Sequence, residues 1–162
     1  MAIRKIIVGI DGSESSHEAL MWALVEAGLR DTPCVALHAY DVESRAEDSF
    51  VPSVEMGRAT VTARAMLAEA LKRVPVELRE GVIVEERTEF APAASALVAA
   101  SRDALMLVVG SRGRSEVKSL VLGSVSESCV HQAHCPVLVV RHQQGRPADG
   151  DTDRVSDERD GG

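Results

Sequence analysis

The chain has 162 residues, 45% of them hydrophobic and 27% charged, which fits one ordinary globular domain with a core of its own. The formal net charge is −7, and Gln143 to Gly162 supplies six acids against three bases, so no general polyanion-binding surface is expected and nucleic acid is excluded as a partner. Aromatics amount to 2% (Trp22, Tyr40, Phe50 and Phe90), too few for base-stacking platforms, and the core must be aliphatic.

Ile3 to Ile10 is rich in β-branched residues and reads as a strand buried on both faces. The Asp11-Gly12-Ser13 turn ends it. Ser13 or Ser15 caps the next helix, with Glu18 completing a capping box from Ser15. Leu20, Ala23, Leu24 and Ala27 then recur at helical spacing, and Gly28 with Thr32-Pro33 closes the helix. Cys34 to Tyr40 is a second strand. Between Asp41 and Arg58 periodicity is lost, which predicts a lid or a loosely structured segment. Ala59 to Val74 is an amphipathic helix stopped by Pro75.

Val82 to Thr88 is a third strand. Pro92 opens a short helix, Ala93 to Ser101. Leu105 to Val109 is a fourth strand, followed by a glycine-bearing polar loop with Arg112, Arg114 and Lys118. Ser124 to His134 is a last helix, ended by Pro136, and Val137 to Arg141 is a fifth strand. From residue 143 the composition turns to Gly, Asp, Arg, Ser and Pro, and a disordered acidic tail is expected beyond a domain of residues 1–142.

Strands alternating with helices predict an α/β fold: one doubly wound, five-stranded parallel sheet, order 3-2-1-4-5, with helices on both faces. Ligands bind such sheets beyond the strand C-termini, where the order reverses. Here that is between strands one and four, so Asp11-Gly12-Ser13 and Gly110 to Gly113 are expected to face each other across a crevice. Gly123-Ser124 opens the last helix, whose free amides and dipole favour an anion. Ser124 and Ser126 add hydroxyls, and Arg112 and Arg114 add positive charge. Asp11 suits ribose hydroxyls or a divalent metal shared with phosphates. The end of strand two, His38 to Tyr40, offers a backbone edge to an adenine. On spacing alone, a phosphate cradle and a set of plain turn formers stand about level.

Val8-Gly9-Ile10-Asp11-Gly12-Ser13, together with Gly110-x2-Gly113-x9-Gly123-Ser124, resembles the universal stress protein family and its nucleotide-binding pattern G-2x-G-9x-G-[ST]. The likeness runs from Arg4 to Arg141 and points to the subgroup with the ATP-binding motif. It implies ATP or another adenine nucleotide held by Asp11, Gly12, Ser13, Ala39, Val109 and Gly110 from the first half of the crevice. From the second half it implies Arg112, Gly113, Gly123, Ser124, Val125 and Ser126. Mg²⁺ or Mn²⁺ would sit at Asp11. The resemblance also implies a homodimer through the last strand, Val137 to Arg141, whose apolar VLVV edge independently asks for a partner. Two positions depart from the family pattern: Leu105 stands where Asp is frequent, and Phe90-Ala91-Pro92 lacks a glycine.

The expected function is nucleotide-dependent regulation in a stress response, with an unspecified protein partner downstream. The alternatives are a slow Mg²⁺-dependent ATPase or phosphotransferase, a cyclic-AMP-binding protein, and a nucleotide-free scaffold. No base suited to position an attacking water is legible. Cys129, His131, His134 and Cys135 lack the paired spacing of a metal site, and His17 reads as a solvated helix residue. Three cysteines without a leader, and no apolar run of membrane-spanning length, place the chain in the cytoplasm, away from membranes.

Overall fold

The computed structural model describes residues 4–41, 53–113 and 122–142, with the backbone alone for 53–55. Five strands form one parallel sheet in the order β3-β2-β1-β4-β5. They are β1 (Lys5–Gly9), β2 (Cys34–Tyr40), β3 (Val84–Phe90), β4 (Ala104–Gly110) and β5 (Val137–Val140). The central strands are aliphatic because both their faces are covered. Ile6 and Val8 point into one core layer with Cys34, Ala36 and Val108, while Ile7 points into the other with Val35, Leu37, Leu107 and Val109.

Helices α1 (Glu14–Leu29) and α2 (Ser53–Lys72) close the first layer through Leu20, Leu24, Leu67 and Leu71. The one-turn helix α3 (Val76–Arg79) joins them through Leu78. Helices α4 (Ala93–Ala100) and α5 (Ser124–Gln132) close the second through Ala96, Leu97 and Cys129. No helix among the described residues is long and apolar enough to cross a membrane.

Four local expectations are corrected. Helix α2 begins at Ser53, so the last third of the expected lid is helical; its first turns offer no apolar stripe, and Met56, Gly57 and Arg58 are exposed. The cap of α1 is Ser13, whose Oγ accepts from the Ser16 amide, and no Ser15–Glu18 box forms. Glu18 instead meets His142. Gly28 lies inside α1, and the reversal falls on Asp31, which takes a left-handed backbone (φ 49°). The turn α3 was not anticipated. The expected tail from 143 lies outside the described residues.

Candidate functional site

A crevice of about 490 Å³ opens where β1 and β4 part company at the C-terminal edge of the sheet. Its apolar end is built from Leu37 and Ala39 of β2, Ala93 and Leu97 of α4, and Val109 of β4. Its polar end is Asp11, Gly110, Arg112 and Gly113 on one side and Gly123 to Ser126 on the other. Both the volume and the mix, mostly apolar with a few convergent polar groups, suit a small organic anion.

The β1–α1 turn is held from within. The Ser13 amide and hydroxyl both donate to Asp11 Oδ1, at 2.9 and 2.6 Å. Gly12 supplies the positive φ of 83° that the reversal needs. His38, buried in β2, donates from Nδ1 to the Ile10 carbonyl (2.7 Å) and fixes the strand end just before Asp11. Asp11 Oδ2 takes none of these bonds and lies against Gly113, where a Cβ would approach it to 2.9 Å. A side chain at Gly113 would thus press on the free oxygen of Asp11.

Helix α5 starts at Gly123, which caps it without a side-chain hydrogen bond. The amides of Ser124, Val125 and Ser126 therefore have no partner within the helix, and these residues line the crevice. The Gly123 amide donates to the Ser111 carbonyl (2.8 Å), and Ser126 Oγ donates to the carbonyls of Gly110 (2.9 Å) and Ser111 (3.2 Å). These bonds aim the helix terminus at the end of β4. The Ser126 hydroxyl is consequently engaged with backbone, whereas Ser124 is exposed.

Of the twelve residues that the resemblance implies for the nucleotide, ten line the crevice, and Gly12 and Ser13 shape the turn behind it. Gly9, Ile10, Ser16, Leu37, Ala93 and Leu97 also line it. Gly9 and Ile10 stand in the Val8-to-Ser13 motif without a site role there, and Leu37, Ala93 and Leu97 form an aliphatic wall that carries no motif, its only signal being position at the sheet's switch-point end. Gly110 lines the crevice and has a packing role besides. A Cβ there would lie 2.3 Å from Ser15 Oγ and 2.8 Å from its carbonyl carbon, so the missing side chain admits the first turn of α1. Arg114 and Lys118 lie outside the described residues.

Elsewhere, no group of three His, Cys, Asp or Glu residues among the described residues is arranged to hold a metal. Burial pushes the Cys34 thiol up to about 12. Burial, with Cys135 adding to it, pushes Cys129 up to about 11. His131 and His134 are exposed.

The five-stranded parallel sheet in the order β3-β2-β1-β4-β5, with a crevice at its switch point, defines a doubly wound α/β protein. The chain belongs to the universal stress protein family, whose model matches residues 2–141. It is 34% identical over 148 residues to a universal stress protein of Mycobacterium tuberculosis, covering 90% of this chain and 51% of the relative. The chain thus spans about half the length of the curated relatives it matches. Among solved structures it is similar to a universal stress protein in complex with cAMP, at 29% identity and a TM-score of 0.62, covering 86% of this chain and 98% of that one. UspA from Lactobacillus plantarum shares the fold at 17% identity and a TM-score of 0.68, covering 87% and 99%.

Proposed function

We propose that the chain binds an adenine nucleotide in this crevice, ATP foremost, and acts as a nucleotide-dependent regulatory homodimer. The observation that carries the reading is the uncapped N-terminus of α5 facing Arg112 and Gly113 across the polar end of the crevice. The phosphates lie there, on the amides of Ser124 to Ser126, with the Arg112 guanidinium offsetting their charge. The adenine occupies the apolar end, beside the β2 edge at Ala39. Asp11 offers one carboxylate oxygen free of Ser13, which accepts from a ribose hydroxyl or holds Mg²⁺ or Mn²⁺ against the phosphates. The solved relative in complex with cAMP supports the adenine nucleotide class. The free edge of β5 pairs with a second copy.

A binding role is favoured over catalysis by what surrounds the ligand space. Among the described residues that line it, the titratable ones are Asp11 and Arg112. Among the described lining residues there is no histidine and no second carboxylate to activate water.

Titration calorimetry of the full chain with ATP, AMP and cAMP tests the reading, with EDTA present or absent to expose a metal. Binding of at least one adenine nucleotide is expected. Gly123→Val places methyl groups against the Arg112–Gly113 backbone, which a bare Cβ already meets at 3.5–3.6 Å. It is expected to weaken binding by about tenfold or more, that is, about 1.4 kcal/mol or more. Undiminished affinity in Gly123→Val overturns the site, and no heat or thermal shift with any adenine nucleotide overturns the function.

A further inference from the structure

The crevice loop and the end of the edge strand are joined by one backbone bond and, beside it, by one buried hydroxyl. Ser15 lies in the first turn of α1 and is buried. Its Oγ donates to the Val140 carbonyl at 3.3 Å and accepts from the Arg112 amide at 3.4 Å. The same Val140 oxygen takes the Ser111 amide at 2.7 Å. One carbonyl of β5 is therefore shared between the loop that lines the crevice and the helix that starts from the Asp11 turn. One turn further along α1, Glu18 Oε1 meets His142 Nδ1 at 2.6 Å, just past the end of β5.

This seam has little slack on one side and two long bonds on the other. Below Ser15 the backbone of Gly110 is packed so closely that no Cβ fits. At 3.3 and 3.4 Å the two bonds lie beyond the usual reach of about 3.0 Å for an O–H donor and about 3.2 Å for an N–H donor, and are weak. The two long bonds are therefore the ones a shift of Arg112 would change first, because the contact between Gly110 and the first turn of α1 is already tight.

From this arrangement we infer that Ser15 couples occupancy of the crevice to the free edge of β5. The inference rests on the nucleotide and dimer readings given above. A phosphate group drawn to Arg112 and the α5 terminus fixes the Arg112 backbone. Ser15 passes that constraint to the Val140 carbonyl, and the final residues of β5 settle into one arrangement. Linkage is reciprocal, so pairing at the edge alters nucleotide affinity by the same factor. Ser15 is a positioning residue: it does not line the crevice. The backbone path from Gly123 through Ser111 to Val140 remains when its hydroxyl is removed.

The test compares the dimer dissociation constant of the full chain, by sedimentation velocity, with and without saturating ATP. In the wild type ATP is expected to shift it about fivefold or more, a common size for coupling between sites. In Ser15→Ala the shift is expected to fall by about half or more, the Ser111–Val140 backbone bond carrying what remains, with ATP binding still detectable by calorimetry. A shift undiminished in Ser15→Ala overturns the inference, as does a wild type that binds ATP and dimerises with no shift. A wild type that binds no adenine nucleotide overturns the functional reading itself, and calorimetry separates that outcome from the others. If Ser15→Ala loses its far-UV dichroism, hydrogen exchange on the wild type decides. ATP is expected to slow exchange across 137–142, and unchanged exchange there overturns the coupling.

Discussion

His17 shows how far a single residue can depart from what its sequence neighbours imply. Flanked by Ser16 and Glu18 in a polar first turn, it reads as solvated. In the structure it is half-buried, and its Nδ1 is sealed from solvent without a hydrogen-bond partner. Burial, helped by the Arg73 guanidinium, holds its pKa below the ordinary 6.5, and Glu14 and Glu18 oppose this only in part. Glu18 is itself in contact with His142, and Glu14 with Arg73. The unfolded chain therefore takes up a proton at His17 near pH 6.5, before the folded chain does. Stability from this group is complete above that pH, falls as pH drops toward the lowered folded pKa, and is level below it. Urea unfolding at intervals from pH 8 to pH 5 should show this loss in the wild type and a flatter profile in His17→Gln. Glu14, held low chiefly by its hydrogen bond to Arg73, acts in a separate window below its ordinary 4.5, and its full exposure leaves that effect open to salt screening.

At the level of elements, the seam between α1 and β4 explains why Gly110 is a glycine. The atoms a Cβ would strike include the Ser15 carbonyl carbon and the Ser16 amide, which are backbone and cannot swing aside. Gly110→Ala should therefore destabilise the fold by about 1–3 kcal/mol, the usual size of an overpacking strain. Gly123→Ala makes only ordinary contacts at 3.5 Å or more and should stay within about 0.5 kcal/mol. Urea midpoints of the two variants check the contrast; equal midpoints would remove Gly110 from the packing seam. The same pair shows what the sequence could and could not say. The strands and their order were readable because central parallel strands are apolar without interruption, and because βα alternation leaves few topologies. The crevice glycines were readable as a spaced set. Their division of labour was not, because it depends on how closely α1 approaches β4 across a long loop of chain. The start of α2 was hidden for a local reason: Gly57 and Arg58 imitate a loop when no apolar face accompanies them. The aliphatic wall of Leu37, Ala93 and Leu97 differs in no way from core until the sheet's end is located in space.

For the molecule as a whole, the two edges of the sheet are treated differently. Strand β3 carries Glu85, Glu86 and Arg87, all exposed, and a charged edge resists pairing. Strand β5 carries Val137, Leu138, Val139 and Val140, and no described strand lies outside it. The carbonyls of Pro136 and Val140 accept from Leu107 and Ser111 of the β4 side. Alternation along a parallel strand then turns the amides and carbonyls of Val137 and Val139 outward, away from β4. An apolar strand whose outward groups no described strand pairs is a template for a second copy, and the blunted β3 edge is not. Light scattering should accordingly give twice the chain mass at micromolar concentration. Val139→Pro removes an outward amide that the β4–β5 ladder does not use, so it should yield a folded monomer, since proline is tolerated on an edge strand. Glu86→Ala on the opposite edge should leave the mass unchanged. A wild type that stays monomeric, or a Val139→Pro protein that still dimerises, would move the interface away from β5.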